Sequence, residues 1–284
     1  MRLPPNVSRR PLLVAAFLAA TVSLAIGANA ALNKRTLDAA SAVATGQDAT
    51  AKRPSRLALV IGNGHYPDAG DPLTQPINDA RALSGALRHD GFDVDMIEDA
   101  SRDDMTRAIA RLKGKITPDS VVMLFFGGYG VQAGRESYML PVDAVIWKES
   151  DVRRQGVSIE GVLDMMKEQG AKAKLVVVDA SRRNPYERRF RSYSHGLAPI
   201  TAPDKALILS SATPGRVAED SSERHSVLVS ELLKHLNQKG LGADAVFRNT
   251  RVAISKASDG DQVPSVSSSL LEDIRFAAAD SSGG

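Results

Sequence analysis

The sequence predicts an α/β fold in which a mostly parallel central sheet is covered by helices on both faces. Short runs that are apolar throughout, such as residues 57–61, recur along the chain, and such runs suit parallel strands covered on either side. Between them lie segments with apolar residues at helical spacing, clearest at Ile77, Ala80, Leu83 and Leu87. The two kinds of segment alternate, which is the order that right-handed parallel crossovers require.

Taken in order, residues 57–61 form the first strand, stopped by Gly62-Asn63-Gly64. The helix after Pro76 ends before Gly91, whose missing Cβ suits a left-handed cap. Residues 92–97 then form a strand, 102–113 a helix, 120–126 a strand, 159–168 a helix and 174–179 a strand. A strand over 206–212 and a helix over 227–239 complete the pattern. Ligands of open sheets sit beyond the carboxyl ends of the strands, so the loops at 62–76, 127–135 and 180–196 are the ones to inspect.

With 284 residues, 43% hydrophobic and 24% charged, the chain is sized for one larger globular domain plus appendages. Arg2, Arg9 and Arg10 precede an uncharged apolar stretch, residues 12–27, and then Ala28-Asn29-Ala30. That order predicts a signal peptide over residues 1–30, cleaved after Ala30, and export to a bacterial periplasm or beyond by the general or the twin-arginine route. Residues 31–55 read as a flexible linker, 56–277 as the folded domain and 278–284 as a disordered tail.

Several function classes are excluded on composition. The formal charge of +3 gives no basic stripe, so no nucleic-acid partner is expected. Gly62-Asn63-Gly64 lacks the third glycine of the dinucleotide fingerprint, and no small-molecule cofactor is expected. No metal-ligand spacing such as His-Glu-x-x-His occurs, so no metal is expected. The chain has no cysteine, hence no disulfide, no thiolate ligand and no thiol nucleophile.

The loops carry a set of separate motifs. They are Ala58-Leu59-Val60-Ile61-Gly62-Asn63, Pro76-Ile77-Asn78-Asp79-Ala80-Arg81, Leu124-Phe125-Phe126-Gly127-Gly128-Tyr129-Gly130-Val131-Gln132, and Leu175-Val176-Val177-Val178-Asp179-Ala180-Ser181-Arg182-Arg183-Asn184-Pro185. Tyr138 to Asp143, Ala212-Thr213-Pro214-Gly215 and Gln262-Val263-Pro264 add to them. Together they resemble the caspase and metacaspase peptidases, especially bacterial members, over roughly residues 56–276. The resemblance implies a caspase-hemoglobinase-like α/β/α sandwich. It puts Tyr129 in the position of the family's catalytic His and Ser181 in that of its Cys. It also implies oxyanion donors at the backbone N–H groups of Gly130 and Ser181, and an acidic pocket for Arg or Lys formed by Asp79 and Asp179.

The family's chemistry needs a thiolate and a base that titrates near neutrality. A phenol with an ordinary pKa of about 10 is ionised in about one molecule in a thousand at pH 7, and a serine hydroxyl needs a base more than a thiol does. The expectation is therefore an exported pseudo-peptidase that binds a peptide or protein partner, with a basic residue, through the former groove. The alternative is a hydrolase using Ser181, with Tyr129 or His65 as a surrogate base, and a purely structural domain is a third reading. Simpler roles exist for the acids: Asp79 in the first turn of a helix, and Asp179 capping a loop. His225 lies in a loop with no carboxylate partner evident from spacing. The arginines at 182, 183, 188, 189 and 191 concentrate positive charge just past Ser181, either as a solvated loop or as a patch for an acidic partner.

Overall fold

The computed structural model describes residues 55–67, 72–180, 186, 196–218, 223–238 and 240–276. The expectations for residues 1–30, 31–54 and 278–284, for Ser181 and for the five arginines that follow it lie outside the described residues.

Six strands form one sheet in the order β2-β1-β3-β7-β8-β9. They are β1 (Arg56–Gly62), β2 (Asp93–Glu98), β3 (Val121–Gly127), β7 (Ala173–Asp179), β8 (Ala206–Ser210) and β9 (Ser265–Ser268). The first five pair in parallel, and β9 joins β8 antiparallel. Alternation along the buried strands sorts the core into two layers. Leu59, Ile61, Leu124, Phe126, Val176 and Val178 face α2 (Arg102–Lys115) and α4 (Ile159–Glu168), meeting Met105, Ala108, Leu112, Val162 and Met166. On the other face, Val60, Phe125, Val177 and Leu209 meet Ala80, Leu83 and Leu87 of α1 (Gln75–His89) and Leu228, Leu232, Val246 and Phe247 of α5 (Val227–Leu236) and α6 (Ala243–Ala257). Fully burying one such side chain stabilises the fold by about 1.5–3 kcal/mol, so the two layers supply the main driving force.

Three short strands, β4 (Gly130–Ala133), β5 (Glu136–Met139) and β6 (Val157–Ser158), make a separate antiparallel sheet beyond β3, with the helix α3 (Glu149–Gln155) beside it. The sequence reading does not anticipate this sheet, nor α3, α6 and β9. Strands of two to four residues carry too little alternation to register. In α6 the apolar positions Ala243, Val246, Phe247 and Ile254 are interrupted by Thr250, which is fully buried because its hydroxyl donates to the Val246 carbonyl at 2.8 Å.

The loop ends are pinned by backbone proximity. A Cβ on Gly62 would stand 2.5 Å from the Pro76 carbonyl oxygen, so only glycine lets the start of α1 cross the end of β1. Asn63, fully buried, accepts from the Ala100 N–H at 2.9 Å and donates to the Leu140 carbonyl at 3.1 Å, tying the ends of β1, β2 and β5 together. Among the described residues, no helix is long and apolar enough to cross a membrane.

Candidate functional site

Tyr129 stands just past the end of β3 and is clamped through its backbone. Its N–H donates to the Tyr66 hydroxyl at 3.1 Å, and its carbonyl accepts from the Leu140 N–H at 3.0 Å. Tyr66 is buried, and its hydroxyl donates a hydrogen bond to the Leu140 carbonyl at 3.0 Å. The two rings meet edge to face, with centroids 4.9 Å apart and planes at 68°, the arrangement that the ring quadrupoles favour.

Beyond the last paired residues of β3 and β7, Gly127 and Asp179, the two chains stay joined. Gly128 N–H donates to the Asp179 carbonyl at 3.3 Å and Gly130 N–H to the Ala180 carbonyl at 3.1 Å. The N–H expected to be available to a substrate oxyanion is thus committed to a main-chain acceptor. The space beside Gly130 is also filled, since a Cβ there would stand 2.6 Å from a Leu197 methyl and 2.9 Å from Ala180.

Asp79 and Asp179 come together on the α1 and α5 side of the sheet. Asp179 ends β7, and alternation gives it the same face as Val177, which packs in the layer that contains α1. Both carboxylates are almost sealed, at 1% and 3% exposure. Burial, and then the charge of Asp179, push the Asp79 carboxyl up to about 6, against the opposing pull of donors from Ser226 and His225. The Ser226 N–H lies 3.2 Å from each Asp79 carboxylate oxygen, and His225 Nδ1 lies 2.9 Å from Oδ1.

Two sequence expectations for these residues need correction. Asp79 is the fifth residue of α1, beyond its first turn, and the helix whose start it serves is α5, where Ser226 is the N-cap. His225 does have a carboxylate partner, one 146 residues away in sequence, which spacing could not reveal.

His65 is turned away from the β7 end. Its Nδ1 lies 2.6 Å from Asp99 Oδ2, and Asp99 follows β2, on the opposite side of β1 from β3 and β7. Asp99 adopts a left-handed φ of 46° and also accepts from the Gly64 and His65 N–H groups at 2.9 Å, which fixes the imidazole in place. With strands about 4.8 Å apart, β1 lies about 10 Å from β7. Asp99 thus holds the His65 ring on the β2 side of β1, while Ser181, which His65 was expected to serve as a surrogate base, lies outside the described residues.

The other two signature segments meet beside the site. Gln262 Nε2 donates to the Ser211 carbonyl at 2.9 Å, and a cavity of about 280 Å³ opens between Ala212, Thr213 and Arg216 on one side and Gly260, Asp261 and Gln262 on the other. Among the described residues, no group of three or more His, Asp or Glu side chains could hold a metal ion.

The arrangement offers a buried acidic pair able to hold a cation, with no thiol anywhere in the chain. Comparison with curated proteins finds no match. The family model of the caspase domain, peptidase C14, matches residues 55–275, which embrace both core layers and every site residue named above. The chain therefore belongs to the caspase-domain family, peptidase C14.

Proposed function

We propose that this protein is a catalytically silent caspase-domain protein that binds a peptide or protein partner through the former substrate groove and recognises a basic side chain there. The observation that carries the reading is the buried Asp79–Asp179 pair: two carboxylates at 1% and 3% exposure, with the charge of Asp179 adding to burial in pushing Asp79 up to about 6, make an acidic pocket at the strand ends that a basic side chain would complement. Silence is supported by the lack of any cysteine, by Tyr129 in the base position, and by the bond from Gly130 N–H to the Ala180 carbonyl. The proposal includes export across a bacterial inner membrane, supported by the arginines at 2, 9 and 10 ahead of an apolar stretch.

The test pairs the natural protein with a double restoration, Tyr129→His with Ser181→Cys, assayed on peptides ending in Arg or Lys. The natural protein is expected to bind without turnover, and the restored one to cleave, slowly, after the basic residue. Turnover by the natural protein that disappears in Ser181→Ala would instead establish the serine-hydrolase reading.

A further inference from the structure

We propose that His225 is a built-in occupant of the acidic pocket: its imidazole, bonded to Asp79, stands where a ligand's basic side chain would bind and has to be displaced for that ligand to enter. The inference rests on the reading of the pocket as a site for basic side chains, and it names the residue of this chain that sets its affinity and selectivity.

The geometry is that of an imidazole nitrogen seated on a carboxylate. His225 Nδ1 is 2.9 Å from Asp79 Oδ1, and the imidazole is 24% exposed while Asp79 beneath it is 1% exposed. The ring is therefore the part of the pair that a ligand arriving from solvent reaches first. It is carried by the residue just ahead of the α5 N-cap, outside the helical hydrogen-bond ladder, so it can swing aside by side-chain rotation without unwinding α5. The Ser226 N–H, 3.2 Å from both oxygens, stays on Asp79 when it does.

An independent feature marks the interior as prepared for more hydrogen bonds than His225 uses. Ser211 is fully buried and its Oγ makes no hydrogen bond among the described residues. It lies one residue past Ser210, which pairs with Val178, so it is level with Asp179; alternation from Leu209 puts both side chains on the α1 and α5 face. An unused buried hydroxyl beside a carboxylate pair is unfavourable by itself and becomes satisfied when a multidentate donor enters. Imidazole directs one N–H at Asp79. A guanidinium brings five donors in a planar fork and can address a carboxylate bidentately with donors to spare for a hydroxyl. The pocket so described favours arginine over lysine, because the compact ammonium gains less from the spread of acceptors.

The experiment measures equilibrium binding of a fluorescently labelled, amide-capped tetrapeptide ending in arginine, and of its lysine counterpart, to the natural protein, His225→Ala, His225→Gln and His225→Lys. His225→Ala is expected to bind the arginine peptide about tenfold tighter than the natural protein, with a smaller gain for the lysine peptide. His225→Gln keeps a donor toward Asp79 and should fall in between, which serves as the readout if the alanine variant does not fold. His225→Lys supplies a tethered cation and should bind more weakly than the natural protein. Adding Asp79→Asn to His225→Ala should remove the gain. If the natural protein binds and His225→Ala or His225→Gln binds no tighter, the occupant role is overturned while the basic pocket stands. If folded natural and His225→Ala proteins both fail to bind either peptide, the pocket reading falls and takes the occupant role with it.

Discussion

At Asp79, burial and a neighbouring charge act against hydrogen bonding. Its carboxyl is pushed up to about 6 from an ordinary 3.8, chiefly by burial and then by Asp179. A carboxyl that holds its proton more tightly when folded than when unfolded favours the folded state fully below pH 3.8, and that contribution is lost as pH rises through about 6. The window is worth up to about 3 kcal/mol, from the two pKa values and 1.4 kcal/mol per unit. Asp79→Asn removes the titration. The stability of the variant relative to the natural protein should therefore increase between pH 4 and pH 7 by up to about 3 kcal/mol, as read from urea unfolding at a series of pH values. A difference that stays constant across that range would mean that Asp79 does not carry the strain assigned to it. The motif resemblance pairs Asp79 with Asp179, but nothing local announces its other partners, His225 and Ser226, which lie 146 and 147 positions away.

At the scale of elements, the placement of His225 depends on where α5 begins, and Ser226 fixes that start. Its hydroxyl accepts from the Val229 N–H at 3.1 Å, the N-cap bond, while its own N–H goes to Asp79. Ser226→Ala deletes the first and keeps the second, so it should cost about 1 kcal/mol of unfolding free energy with an unchanged denaturant slope. A loss near zero would mean that the Asp79 contact alone holds the helix start. The start of α5 was legible at residue 227, as were all five parallel strands and the three helices α1, α2 and α4, because short apolar runs, the alternation in β2 and 3.6-residue periods are local signals. The small sheet was not, since its strands are stabilised by the cluster of Tyr66, Val131, Tyr138 and Leu140 that only the assembled fold creates. The motif resemblance singled out Asp79 and Asp179. It could not show that Gly130 N–H is occupied, which is a matter of how the ends of β3 and β7 lie against each other, nor that His65 faces β2.

Across the whole molecule, the obstacles to hydrolysis that we propose sit on different strand ends and would act on different steps. On the proposed function, Tyr129 after β3 and the lack of a thiol after β7 would remove the chemical step. The Gly130 bond to Ala180 would withhold an oxyanion donor, and His225 ahead of α5, bonded to Asp79, would compete for the proposed pocket for a basic side chain. Groups acting in one step are strongly non-additive, whereas an effect confined to binding multiplies through. His225→Ala alone should therefore leave the protein without turnover, because no nucleophile is gained. Added to Tyr129→His with Ser181→Cys, it should raise kcat/KM on arginine peptides about tenfold over the double variant, through KM, since displacing the imidazole weakens ground state and transition state alike. Initial-rate measurements on the three variants distinguish the cases. A gain confined to kcat would instead mean that the imidazole hinders the reacting groups, and would move His225 from substrate selection into the chemical step.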